Sequence, residues 1–330
     1  MRYKKKRSKK KIIGYSILVV FLLLIGGTVF AYYQLKPENH FSKVPLVSSG
    51  DKDSSKTTDQ TVNIDDPIFN VLLIGSDQRK GQKIGHSDTM MVVSVDLKNY
   101  KYHMLSIPRD SRVYLDGYGY TKLTSAQYIL QNDLGAKKGI EAAVGVISDF
   151  TGIPINYYVE TNYTGLEEIV NALDGIKMNV PFDVKLTHSW YPENKNKVIT
   201  AGEHSLTGKM VTELVHERYS LSNGEYGRQQ LQKEALVGIA KKALSPKTIT
   251  KLPELVDSIS EFIVATNMSN SDIISIAYAV QNFDPDNQIQ YHQLTGQGQT
   301  LYDDILKNNN SQIVINEDEM KKIVEEYYIH

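Results

Sequence analysis

Two aspartates and an arginine carry the first chemical signal in this chain. Asp77 follows the apolar run FNVLLIG (69–75) by two residues. Asp88 and Arg109 flank two alternating segments, 89–97 and 101–107, separated only by Lys98-Asn99-Tyr100. That spacing predicts a β-hairpin. Positions summing to about 198 would be paired, which sets Asp88 opposite Arg109 or Asp110 at the open end. If the strand over 69–75 runs parallel to 101–107, Asp77 reaches the same edge, outside strand ends where α/β sheets usually hold ligands. Neighbouring carboxylates suit Mg²⁺, which takes one or two of them together with substrate phosphates. The planar fork of arginine suits the phosphate oxygens. The competing reading makes Asp77 and Asp88 turn and strand-cap residues and Arg109 one half of a structural ion pair.

A second cluster lies in GEYGRQQLQ at 224–232. Gly227 opens a predicted helix with the apolar stripe Leu231, Ala235, Ile239 and Ala243. Arg228 and Gln232, four apart, share one face near its first turn, where free amides and the helix dipole favour an anion. Arg218, ten residues before Arg228, ends the preceding helix and can aim at the same point. Plain surface charge is the alternative. The P-loop, H-E-x-x-H and G-x-S-x-G patterns are missing, and the eight histidines show no metal-ligand spacing.

The elements that must position these residues alternate. Helical periodicity over 139–150 stops at Gly152-Ile153-Pro154, and is followed by a strand over 155–160, a helix over 164–173 and a strand over 176–180. Helices are then expected over 208–218, 227–244, 253–264 and 271–281, a strand over 289–294 and a closing helix over 317–327. The pattern predicts a three-layer α/β fold, a central mixed sheet covered by helices on both faces. No period of 20–50 residues suggests a repeat.

Charge and hydropathy set the compartment. The chain has 330 residues with 37 Lys+Arg and 38 Asp+Glu, but eight of the cations fall within residues 1–11. What remains is 29 basic against 38 acidic groups, a formal −9 that speaks against a nucleic-acid partner. The absence of cysteine excludes thiol catalysis, disulfides and Cys-ligated zinc. Residues 12–35 (IIGYSILVVFLLLIGGTVFAYYQL) carry no charge and exceed the roughly 20 apolar residues of a membrane span. With cations before it, this segment is expected to be a single uncleaved anchor, with the amino terminus cytoplasmic and residues 68–330 an extracellular domain. A cleaved signal peptide is the rival, opposed by the length of the apolar core and the lack of an A-x-A site. Residues 36–67 read as a flexible linker, which would hold the domain about 30 Å from the bilayer.

NVLLIGSDQRKG, GHSDTMMVVSVD, YHMLSIPRDS, KLTSA and GEYGRQQLQ, in that order, resemble the signatures of the LytR–CpsA–Psr family of Gram-positive bacteria over about residues 69–328. The resemblance implies a Mg²⁺-dependent phosphotransferase, with Mn²⁺ as the alternative ion. Such an enzyme moves a glycopolymer (teichoic acid or a capsular or wall polysaccharide) from an undecaprenyl-pyrophosphate carrier to peptidoglycan at the cell membrane. It implies Asp77 and Asp88 as metal ligands. Arg79, Arg109, Arg218, Arg228 and Gln232 become pyrophosphate-binding residues, and Asp77, Asp88, Arg109 and Arg228 form the catalytic set. Asp110 and Lys122 match further polar positions of the family. The chain departs from the usual motifs at His86 and His216, where arginines are usual, at Glu225 in place of aspartate, and at Leu231 and Lys233, which interrupt R-Q-Q. Both histidines are expected to serve the pyrophosphate pocket as partial cations. The alternative function is a catalytically weakened polyprenyl-phosphate or glycopolymer-binding protein of the same fold, a type often labelled a transcriptional attenuator. An apolar slot for the lipid is expected among the strands at 155–160 and 176–180 and the helices over them.

Overall fold

The computed structural model describes residues 35–48, 60–63, 67–79, 81–280 and 283–329. Its centre is a six-stranded mixed sheet built from β1 (Ile68–Ser76), β2 (Ser87–Asp96), β3 (Lys101–Ile107), β4 (Tyr157–Asn162), β5 (Ile263–Thr266) and β6 (Ile289–Gln293). Spatially the order is β5-β4-β1-β2-β3-β6, with parallel pairs β4/β1 and β3/β6 and antiparallel pairs elsewhere. β1 is apolar without alternation because both its faces are buried. Leu72 and Ile74 pack on one side, and Phe69 and Val71 on the other.

The first face is covered by α1 (Leu123–Leu134), α2 (Ala136–Thr151) and α7 (Glu317–Tyr327), through Leu123, Ile140, Val144, Ile147 and Val324. The second is covered by α6 (Asn270–Ala279) and by the segment before β1. A smaller core forms beside the sheet. There α3 (Tyr163–Ala172), α4 (Gly208–His216) and α5 (Gly224–Ala243) pack on a two-stranded ribbon, Ile176–Val180 against Gly202–Leu206. The expected stripe of α5 lies in this core. Gly238 lets the helix approach the ribbon closely, since a Cβ there would stand 2.6 Å from the Lys177 carbonyl oxygen.

Three expectations change. The strand at 176–180 forms but belongs to this side ribbon rather than to the central sheet, and its Ile176, Met178 and Val180 are closed into core. The helix expected over 253–264 stops at Ser260, because the β-branched run from Ile263 pairs with β4 as the edge strand β5. The linker expected over 36–67 is folded in its first part. Phe41 and Val44 are 0% exposed and pack with Phe69 and Tyr157, while Lys43–Leu46 pairs with Gln60–Asn63. The expectation missed this because three or four apolar anchors in a polar stretch are enough to dock it.

Among the described residues no helix is long and apolar enough to cross a membrane. The span expected over 12–35 lies, except for Leu35, outside the described residues, as do 49–59 and 64–66 of the expected linker.

Candidate active site

The hairpin of β2 and β3 pairs positions summing to 197, from Asp96↔Lys101 to Met90↔Ile107. Continuing that register sets Asp88 opposite Arg109, and the two side chains form an ion pair. β1 and β3 run in the same direction on either side of β2, so Asp77, just past β1, arrives at the same edge. Asp88 is held from three sides. Its Oδ1 accepts from Arg109, its Oδ2 accepts from the Tyr163 hydroxyl at 3.3 Å, and its backbone carbonyl accepts from Arg228 Nη2 at 3.0 Å.

Arg228 reaches Asp88 from the first turn of α5. It is only 2% exposed, and it also donates to Glu225 Oε1 at 2.8 Å, three residues back on the same helix. Glu225, which stands where the family motif has aspartate, thus pairs with the buried arginine. Burial works against the charge of Arg109, yet Asp88 and Asp110 beside it hold its pKa above the ordinary value. Lys122 Nζ pairs with Asp110 at 2.9 Å. The Nε of Arg109 and the Nε of Arg228 are both buried without a hydrogen-bond acceptor. Asp110 Oδ2 stands 4.0 Å from Arg109 Nε, an ion pair without a hydrogen bond, so both donors keep a hydrogen bond to offer an anionic oxygen.

Asp77 lies across the edge. Its Oδ1 accepts the His86 backbone N–H at 2.7 Å and its Oδ2 meets His86 Nδ1 at 3.2 Å. That bond lowers the Asp77 pKa and raises that of His86, whose ring also stacks on Tyr128 at 4.7 Å. Gly85 makes the fold-back possible, since a Cβ there would stand 3.0 Å from Asp77 Oδ1 and 2.9 Å from the Gln78 amide.

Not every expected residue joins this cluster. Arg79 stands exposed on the loop after β1, acting on Asp77 only through its charge. Arg218 sits at the rim, with its guanidinium 4.9 Å from the Tyr219 ring. Gln232 is buried and donates to the Val215 carbonyl at 3.4 Å, tying α5 to α4. Leu231 is fully buried in the side core, and Lys233 pairs with Glu234. His216 differs most from its expectation. Burial and then the field of Arg228 lower its pKa, opposing the cationic form. Its ring lies 4.1 Å from Trp190 and 5.6 Å from Tyr163.

Several neighbours went unrecognised in the sequence. Tyr163 has a pKa raised by burial and bonds Asp88 directly. Glu213 and Glu217, both buried, accept backbone N–H groups of Trp190 and Tyr191 and of Thr187 and His188 respectively, and so fix the 187–191 loop. Their i, i+4 spacing at the end of an apolar helix was the available signal. Among the described residues no three His, Asp or Glu side chains converge as a metal-ligand set. Asp77 and Asp88 remain hard oxygen donors at one edge, a pair that fits Mg²⁺ completed by substrate oxygens and water. Each would have to yield a bond now made to His86 or Arg109.

The family model described as the LytR_cpsA_psr family matches residues 39–328. The polyisoprenyl-teichoic acid–peptidoglycan teichoic acid transferase TagT of Bacillus subtilis (strain 168) is 31% identical over 300 residues, 89% of this chain and 88% of that protein. TagU of Bacillus licheniformis, named for the same transfer, is 29% identical over 301 residues, 90% of each. Among solved structures, B. subtilis TagV superposes with a TM-score of 0.64 at 27% identity, covering 79% of this chain and 97% of that one.

Proposed function

The chain belongs to the LytR–CpsA–Psr family, and from that premise we propose that it is a phosphotransferase. It moves a phosphate-linked glycopolymer from an undecaprenyl-pyrophosphate carrier to a hydroxyl of peptidoglycan. The observation that carries the reading is the pair of buried guanidinium N–H groups without acceptors, on Arg109 and Arg228, facing an edge with two carboxylates. A diphosphate supplies the oxygens those donors lack. The relatives named for teichoic acid transfer support the polymer class.

In the reaction the hydroxyl oxygen bonds to the phosphorus that carries the glycan. The bond from that phosphorus to the bridging oxygen breaks, the lipid phosphate leaves, and the hydroxyl proton passes to a base. Charge grows on the leaving phosphate. Arg228, locked by Glu225 and the Asp88 carbonyl, meets that charge without reorganising, and Arg109 joins it as Asp88 turns to the metal. Mg²⁺, held by Asp77 and Asp88, would add Lewis-acid stabilisation. The apolar span at 12–35 would anchor the enzyme with this domain outside the cell, where both carrier and peptidoglycan are met.

The test is transfer in vitro from a lipid-linked donor, with Mg²⁺ and with chelator. Asp88→Asn and Arg109→Ala are expected to lower transfer about 10²–10³-fold in folded protein, and chelator should abolish it. Wild-type transfer that survives both substitutions would refute the assignment. A binding-only role is favoured by His216, which stands where the family motif has arginine and whose pKa burial lowers. It would appear as intact pyrophosphate binding without transfer.

A further inference from the structure

Beside the diphosphate cluster stands a feature that phosphate chemistry does not explain. Tyr163, whose hydroxyl bonds Asp88 Oδ2 at 3.3 Å, meets Trp190 edge-to-face at 4.6 Å. His216 lies against both rings. Trp190 is nevertheless 44% exposed. A lone exposed aromatic would need no account, but this one is fixed with unusual care. Glu213 accepts the backbone N–H of Trp190 itself at 3.2 Å, and Glu217 gathers those of Thr187 and His188, both through carboxylates buried within α4 and its end. The wall adjoins positive charge, since Arg218 lies over the Tyr219 ring and Arg109 acts on the Tyr219 hydroxyl.

We propose that Tyr163, Trp190 and His216 form a sugar subsite, in which the pyranose attached to the donor diphosphate stacks on Trp190 while its phosphates face Arg109 and Arg228. The inference rests on the transferase reading for the nature of the donor. An uncharged aromatic face open to solvent suits the apolar C–H face of a sugar whose hydroxyls stay hydrated. An isoprenoid tail would call for an enclosed slot instead. The arginines within reach favour the phosphate-linked sugar of the donor over the uncharged acceptor strand. Position 216 then serves the glycan: its imidazole packs against the indole at 4.1 Å with the rings tilted by 40°, where a guanidinium would set a second full charge beside Arg228.

Trp190 is the only tryptophan of the chain, so its emission reads the wall directly. Full-length protein in detergent would be titrated with N-acetylglucosamine 1-phosphate, inorganic phosphate, chitotetraose and farnesyl phosphate. The sugar phosphate is expected to quench Trp190 and to bind roughly three- to tenfold tighter than inorganic phosphate. Calorimetry on Trp190→Ala should show that advantage lost with phosphate affinity unchanged, and Trp190→Phe should restore part of it. Because backbone N–H groups donating to Glu213 and Glu217, rather than the indole, hold the loop, the alanine variant is expected to fold. Equal affinity for sugar phosphate and phosphate in the wild type would overturn the proposal. So would farnesyl phosphate matching the sugar phosphate, which would make the wall a lipid slot, or chitotetraose quenching as strongly, which would give it to the acceptor. These binding results stand apart from the transfer assay, whose failure in wild-type protein would refute the function and leave the sugar preference measurable.

Discussion

His86 and His216 occupy equivalent places in the family motifs and have opposite electrostatics. The first is bonded to a carboxylate and its pKa is raised; the second is buried beside an arginine and its pKa is lowered. The Asp77–His86 pair contributes stability in full below the free imidazole's value of 6.5 and loses it as pH rises through the raised folded value. The difference in Tm between wild type and His86→Ala should therefore shrink from pH 6 to pH 9, and a constant difference would remove the pair as its cause. His86→Arg keeps a cation for Asp77 and should abolish that pH dependence. His216→Arg forces a second guanidinium beside Arg228 into a buried site where the nearby carboxylates, Asp88 and Glu217, already hold other partners. It should lower Tm by roughly 3–8 °C at pH 7, read by calorimetry. Sequence spacing placed Asp88 opposite Arg109, because strand register is regular, whereas Arg228 joined them only through the family resemblance. It could not give the two histidines their states, which depend on what tertiary packing brings against each ring.

The elements beneath the site are tied by a buried polar chain. Gln127 and Gln131 of α1 lie one turn apart. Gln127 accepts from Ser87 at 2.5 Å and donates to Glu160 at 2.8 Å, while Gln131 accepts the Gly85 N–H at 3.2 Å. The helix thereby holds the start of β2, the end of β4 and the loop carrying His86. Burial raises the pKa of Glu160, so its stabilising contribution is complete below the ordinary 4.5 and is lost as pH rises through the folded value. Glu160→Gln keeps the acceptor and removes the charge. Chemical unfolding should find it about 1–2 kcal/mol more stable than wild type at pH 7 and level with it at pH 4. On α5, Gly238→Ala would push the helix off the Lys177 carbonyl and should cost about 1–3 kcal/mol by the same measurement. The first turn of α5 was evident from its motif, and so was its stripe. Helix α1 was not recognised, since LTSAQYILQNDL spends two of its buried positions, Gln127 and Gln131, on polar connections and so blurs the apolar period.

At the scale of the whole molecule, five of the six sheet strands were legible because they are apolar runs or alternate, while the edge strand β5 and the folded start of the chain were not. Phe41 touches Phe69 at 4.7 Å between ring centroids and Tyr157 at 6.3 Å, closing the second face of the sheet. Phe41→Ala should lower the stability of the entire domain by about 3–5 kcal/mol in a denaturant titration, whereas a dispensable linker would show no change. The same docking extends back to Leu35, whose carbonyl accepts from Ser275 Oγ at 2.8 Å on α6. Under the proposed topology Leu35 is also the last residue of the span, so no slack separates anchor from enzyme. The height of the reactive edge above the bilayer then follows from the shape of a rigid body and not from the statistics of a random coil. Such an enzyme works at one fixed altitude. Anchored so, it would meet carrier phosphates at its own foot and glycan strands within the same shallow layer, and lengthening the chain between Leu35 and Pro37 would widen its reach while weakening its grip on the lipid-borne donor.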